Sequence, residues 1–420
     1  MNEISNYQEK STYSQFQKSS SLMLIIGIVF IAANLRAPLT SVGPLVNIIR
    51  SNLHISSTTA GMITTLPLFA FALFSPFAPG FARKFGAEFV LLWSIVFLMI
   101  GIILRSQSGS LFLFLGTAIL GLAISMGNVL IPSLIKQHFP QQIGSMTGIY
   151  SVSMNVFAAI ASGISIPIAT ELKFGWAGAL RIWAVLAFIS IILWIPQMKW
   201  RKQKMPINQV KVDSNVEVDM LKIHKETVTK KTNLWKSPLA WQVTLYMGLQ
   251  SMIFYCMVAW LPSILIQQGM NSSKAGWMLS LMQLALIPFT FIVSVLAGRR
   301  ANQRSLVIIG FLCLLIGFLG LLFGGSKLLF LWIIILGIGG GFTFSLSMMF
   351  FSLRTKNHDE AAKLSGMAQS IGYLLAAFGP MFFGYLHDIT INWTIPIIIL
   401  IGVSGLCMIV GLGASRELHV

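Results

Sequence analysis

The sequence predicts an all-α membrane protein of twelve transmembrane helices in two pseudo-symmetric six-helix halves, and three observations carry that prediction. Of its 420 residues, 55% are hydrophobic and only 10% charged, with a mean hydropathy of +0.80, a balance foreign to a water-soluble globule of this size. The apolar residues fall into runs of about 18 to 28 between short polar breaks, long enough to cross a hydrocarbon core of about 30 Å. Residues 218 positions apart also match in kind: Pro44 with Pro262, Gly80 with Gly298, Lys136 with Arg354, and Gly148 with Gly366. Each pair occupies the same topological place in its half, the pattern of a six-helix unit present twice.

Residues 1–21 read as a disordered, Ser- and Gln-rich cytoplasmic tail. Lys10 and Lys18 precede an apolar run, but no small-residue cleavage site follows and the run continues as a full span, so a removed signal peptide is not expected. Spans are expected at 22–49, 57–80, 87–105, 110–135, 143–168 and 176–196, which together form an N-terminal half at 22–196. A polar linker at 197–238 follows. The second set lies at 239–267, 274–298, 304–324, 327–353, 363–386 and 391–414, a C-terminal half at 239–414 with a short cytoplasmic tail at 415–420.

Charge sets the orientation. With the N-terminus inside, 22 of the 29 Lys and Arg fall on the cytoplasmic side, six fall outside and Arg36 is the remainder, so both termini are expected in the cytoplasm of a multi-pass cell-membrane protein. Ten basic residues lie in the linker, which lacks interleaved aromatics and nucleic-acid motifs; it is read as touching anionic lipid, and nucleic acid is not an expected partner. Cys256, Cys313 and Cys407 sit in separate spans without metal-ligand spacing and read as packing residues. GIGGGF at 337–342 lies in a span with no preceding strand, so it reads as close helix packing and not as a dinucleotide loop. Neither cofactor nor metal is expected, and the missing GxSxG, nucleotide loop and paired intramembrane carboxylates argue against an enzyme.

Arg36 is the one formally charged side chain in the middle of any span, in NLRAPLTSVGP at 34–44. At about 1.5 Å per residue its backbone lies about 20 Å from either end of its segment, too deep for easy snorkelling. A cation there faces the protein interior or a water-filled cavity and needs a partner, so an anionic or strongly polar substrate is expected to supply part of it. The 218-residue shift places Phe254 opposite Arg36, with Tyr255 beside it and Gln250 one turn away. Thr40 shares a helical face with Arg36, Asn34 lies on another, and Pro38 removes a backbone hydrogen bond nearby. Gln369 and Tyr373, one turn apart in the eleventh span, and Asn128 in the fourth complete the expected substrate-contacting set. No Asp or Glu lies at mid-depth, since Glu88, Glu171, Asp388 and Glu417 fall near ends, so a carboxylate proton relay has no evident seat. Trp260 and Trp277 read as interfacial anchors.

Four blocks now carry a resemblance: NLRAPLTSVGP at 34–44, GNVLIPSLIKQHFP at 127–140, GLQSMIFYCMVAWLP at 248–262 and SGMAQSIGYLLAAFGP at 365–380. Together they resemble the cyanate-permease and 2-nitroimidazole-transporter (CynX/NimT) branch of the major facilitator superfamily, over about residues 20 to 415. The resemblance implies the major facilitator fold and a secondary active transporter that moves a small cyanate-like anion or small polar solute by alternating access. Export of nitroimidazole or drug-like compounds is the alternative it leaves open, and a transport-derived sensor a more distant one. It also implies a chain able to work as a monomer. In PGFARKFG at 79–86, Arg83 stands where the superfamily's loop motif usually has Asp; Glu88 is the expected substitute partner, and Arg83, Glu88, Lys136 and Arg354 are the gating candidates.

Overall fold

A bilayer core offers no water to unpaired backbone groups, so a chain of this composition satisfies its amides within helices. The computed structural model describes residues 22–55, 57–203, 234–270, 272–325 and 328–420; the expected N-terminal tail and most of the basic linker lie outside the described residues. We number the helices α1 (Leu22–Val46), α2 (Met62–Phe85), α3 (Ala87–Arg105), α4 (Ser110–His138), α5 (Ile143–Thr170), α6 (Gly175–Met198), α7 (Pro238–Gln267), α8 (Ser272–Arg299), α9 (Arg304–Phe323), α10 (Leu329–Leu353), α11 (His358–Thr390) and α12 (Thr394–Ala414). Among the described residues, eleven of these helices are long and apolar enough to cross a membrane. The remaining one, α11, is a 33-residue helix packed along α7.

Several ends differ from the sequence reading for local reasons. Asn357 caps α11 by accepting the Glu360 amide at 2.9 Å, and acidic Asp359 and Glu360 suit the first turn, so the helix begins earlier than 363. Ser237 caps α7 in the same way, just before Pro238 in its first turn. Beyond α6 the chain stays helical to Gln203, shortening the expected linker at its start. A 3-10 turn at Ser75–Phe77, containing Pro76, interrupts α2.

The halves meet along two crossings that the repeat relates to each other, α2 on α11 and α5 on α8. Gly366 of α11 lies against the Ser75 carbonyl and Pro79 of α2, and Gly148 of α5 against Phe291 of α8. At the end of the bundle bearing the Lys- and Arg-rich loops, called here the basic end, Gly144 and Gly298 bring the α5 and α8 backbones together. A β-carbon on Gly144 would sit 2.6 Å from the Ser294 carbonyl oxygen. Large apolar side chains cover the outside. Phe85 at the end of α2 and Phe89, Trp93 and Phe97 of α3 form a row of rings in tilted and edge-on contact at 6.1 to 6.2 Å, a surface suited to lipid.

Within α10, Gly337 and Gly341 pack against the carbonyls of Met282 and Leu286, so GIGGGF acts in helix contact as its setting suggested. Trp277 is 68% exposed, whereas Trp260 donates to the Pro380 carbonyl at 2.8 Å and lies 5.3 Å from Trp393. Trp260 therefore packs between α7 and α11.

Candidate functional site

Arg36 lies in the seam between the halves and is 6% exposed. Its guanidinium carbon is 4.8 Å from the centre of the Phe254 ring on α7 and 5.1 Å from that of Phe344 on α10. An N-half cation is thus held between two C-half aromatic rings. Among the described residues the guanidinium donates no hydrogen bond and has no carboxylate partner. Tyr150, Tyr255 and Tyr373 lie within electrostatic reach of it. Phe254 and Tyr255 meet edge-on at 5.3 Å, Tyr255 and Tyr373 at 6.5 Å, and Tyr373 and Phe71 at 5.0 Å. The result is a central cluster of aromatic rings around one buried positive charge, called here the Arg36 chamber.

Burying a guanidinium costs several kcal/mol, and a desolvated cation–π contact returns about 2 kcal/mol or somewhat more. Two rings therefore cover part of the cost, and the unused N–H donors leave room for an oxygen-bearing ligand.

The other expected contact residues divide. The Gln369 amide donates to the Asn128 carbonyl on α4 at 2.9 Å and to Ser365 Oγ at 2.9 Å, which ties the halves at mid-depth and leaves its buried Oε1 unpartnered. Tyr150 donates to Asn128 Oδ1 at 3.3 Å, bringing Asn128 to the chamber's edge. Gln250 donates to Ser251 Oγ at 2.8 Å and to Met247 Sδ at 3.3 Å, so both contacts stay on α7.

Asn34 points away from Arg36. Its amide reaches Ser190 Oγ on α6 at 2.7 Å and the Phe30 carbonyl at 2.8 Å, pinning α1 inside the N-half. Thr40 donates to the Ala158 carbonyl on α5 at 3.1 Å, also within that half. Both were expected to contact substrate; in the structure the donors of both are directed to the scaffold, and the buried Asn34 Oδ1 has no partner among the described residues.

Phe344, Phe71 and Tyr150 were absent from the sequence reading. Tyr150 carried a signal, because it is one of seven tyrosines and lies inside an apolar span, where a phenol needs a partner. The two phenylalanines are among thirty and carried none.

The basic end is closed by hydrogen bonds between the halves. Lys136 donates to the Ser352 carbonyl at 2.6 Å, to Thr355 Oγ1 at 2.9 Å and to the Thr355 carbonyl. Ser133 donates to the His358 carbonyl at 2.8 Å. Arg354, the repeat partner of Lys136, works within its own half: it donates to the Ala414 carbonyl at 2.8 Å, to the Ser415 carbonyl at 3.0 Å and to Gln303 Oε1. Burial pulls the Arg354 guanidinium down to about 10, with Glu417 pulling the other way. The Val420 amide donates to the Arg354 carbonyl at 2.9 Å, which folds residues 415–420 onto this end. Burial, then Lys136, Arg354 and Lys356, lower the His419 pKa, against Glu360. Glu88 lies 3.7 Å from His138, and Arg83 is exposed.

Sequence and fold comparisons agree with this architecture. The sequence profile described as Major Facilitator Superfamily matches residues 22–380 and 269–417. YycB of Bacillus subtilis (strain 168), described as an uncharacterized transporter, is 45% identical over 405 residues, covering 96% of each chain. The 2-nitroimidazole transporter of Escherichia coli (strain K12) is 38% identical over 400 residues, 95% of this chain and 97% of that one. The cyanate transport protein CynX of the same organism is 25% identical over 371 residues, 88% and 91% of the two chains. The solved structure of the proton:xylose symporter XylE, bound to 6-bromo-6-deoxy-D-glucose, matches with a TM-score of 0.72 at 13% identity, covering 93% of this chain and 95% of that one.

Proposed function

The chain belongs to the Major Facilitator Superfamily, and on that premise we propose that it carries a small planar solute bearing an anionic or nitro group, anchored at Arg36. It is a multi-pass membrane transporter and not an enzyme. One observation carries the reading of the site: a buried guanidinium, held between Phe254 and Phe344, with its N–H donors unused. An oxygen-bearing anion of cyanate-like size would neutralise Arg36, and the loss of that uncompensated charge would favour closure around the ligand. The ring walls favour a second reading, a neutral nitroheteroaromatic whose nitro oxygens accept from Arg36 while its ring lies against Phe254, Tyr255 or Tyr373. The similarity to a 2-nitroimidazole transporter supports it.

In this proposal the halves rock about the Arg36 chamber, and the basic end, on the cytoplasmic side by its charge, opens when the Lys136 bonds to Ser352 and Thr355 part. Asn128, Gln250 and Gln369 set the chamber's polar edge.

The test is thermal unfolding of the purified chain, at matched pH and ionic strength, with cyanate, nitrate, small carboxylates and 2-nitroimidazole. A true ligand at a hundredfold excess over Kd stabilises by about 2.7 kcal/mol. Stabilisation confined to anions and lost in Arg36→Gln supports anion carriage. Stabilisation by 2-nitroimidazole alone selects the second reading. Binding that survives Arg36→Gln unchanged removes Arg36 from the site. Uptake in proteoliposomes then separates a carrier from a sensor, which binds without moving its ligand.

A further inference from the structure

Phe254 also belongs to a second space. Beside the Arg36 chamber, inside the C-terminal half, lies a recess between α7, α8, α9 and α10 whose lining includes Gln250, Phe254, Leu286, Leu314, Gly340 and Thr343, with Met257 beside them. Its cavity volume is about 20 Å³, small enough that the space suits a group of one or two non-hydrogen atoms.

The recess offers little to water. The Gln250 amide already donates to Ser251 Oγ and Met247 Sδ, and the Thr343 hydroxyl donates back to the Gly339 and Gly340 carbonyls at 3.1 and 3.2 Å. Gln250 Oε1 and the Thr343 oxygen are the side-chain acceptors left among these walls, the others being apolar, and a stable internal water needs two to four polar partners. The space therefore suits a small apolar group better than water.

We propose that this recess is a substituent pocket of the transport site. It would take a short apolar group, such as a methyl, chloro or ethyl, from a solute whose polar end rests on Arg36. This rests on the Arg36 reading above and deepens it: the substrate class becomes planar anions or nitroheteroaromatics carrying a substituent of one or two heavy atoms. Gly340 sets the size limit. A β-carbon built there meets Leu286 Cδ1 at 3.3 Å, a side-chain end that can give way slightly, whereas at Gly337 and Gly341 it would strike backbone carbonyls at 2.4 and 2.8 Å. Gly340→Ala is thus the substitution that fills the recess with least damage to helix packing.

The experiment is calorimetric titration of the full chain in detergent with two homologous series. One is 2-nitroimidazole and its 4-methyl, 4-ethyl and 4-butyl derivatives; the other is formate, acetate, propionate and valerate. In at least one series, the first added carbon is expected to tighten binding about fourfold, the worth of one buried methyl group, with the gain gone at the longest member. Gly340→Ala should abolish that gain, and Met257→Ala should move the optimum to a longer member. Binding of a parent compound with no gain on substitution, or a gain that Gly340→Ala leaves intact, overturns the pocket and leaves the Arg36 reading standing. If no member of either series binds, the pocket fails, and the Arg36 reading fails with it when cyanate and nitrate, titrated alongside, do not bind either.

Discussion

Lys136 and Arg36 are both cations drawn into the seam between the halves, one at its basic end and the other at its centre. Lys136 is held by carbonyl and hydroxyl oxygens of Ser352 and Thr355, and backbone packing of Gly144 against Gly298 reinforces the closure. Arg36 has ring faces and no oxygen partner among the described residues. In the reading proposed above, the difference follows from what each position would do. A gate needs bonds specific to one state, which the protein would supply from its own backbone. A binding site needs a charge whose solvation is left incomplete, so that a ligand has something to complete.

The comparison is broken most directly at its centre. Arg36→Gln is expected to lower transport of an anionic substrate about 100-fold, the loss of charge-assisted hydrogen bonds, while thermal stability without ligand stays the same or rises. Uptake into proteoliposomes and an unfolding scan measure both. A large loss of stability would instead mark Arg36 as a packing residue.

At the basic end, Gly144→Val should prevent the α5 and α8 backbones from meeting, because the added atoms collide with the Ser294 carbonyl. Transport is expected to fall at least about tenfold, with maleimide labelling of a cysteine placed at Thr355 rising by a similar factor. Unchanged labelling would show that closure does not depend on this approach.

Asn34→Ala separates scaffold from site. It removes the α1 to α6 hydrogen bond and should cost about 1 kcal/mol of stability with KM unchanged. A raised KM would return Asn34 to the substrate.

The smallest expected effect is in the tail. Because the docked His419 pKa lies below its ordinary value, docking favours the neutral imidazole. That contribution is fully present above the undocked pKa of about 6.5, declines as pH falls, and is lost below the depressed docked value. Hydrogen exchange at residues 415–420 should therefore be a few-fold faster at about pH 5.5 than at about pH 7.5, corrected for intrinsic rates, and His419→Ala should remove the difference.

Much of this was legible beforehand because hydrophobic runs, basic loops and repeated positions are properties of the chain in order. The pairing of positions 36 and 254, inferred from the repeat, is a contact in the folded protein. Helical spacing was a poorer guide to which polar side chains share a chamber. Asn34, two residues from Arg36, turns to α6, whereas Phe344, more than three hundred residues away, packs on the guanidinium. Lys136 and Arg354 occupy equivalent places in the repeat, yet one bridges the halves and the other anchors the tail.

By itself, the sequence determined that the chain lies in a membrane, that its spans form two related halves, and that one cation is buried at mid-depth. These follow from transfer energetics and chain periodicity, which act residue by residue. Tertiary structure alone decided which groups meet that cation, which polar residues are spent on the scaffold, and where a small apolar space is left beside the chamber. Those depend on the rotation and closest approach of helices distant in sequence, and a displacement of one turn or one β-carbon changes the answer.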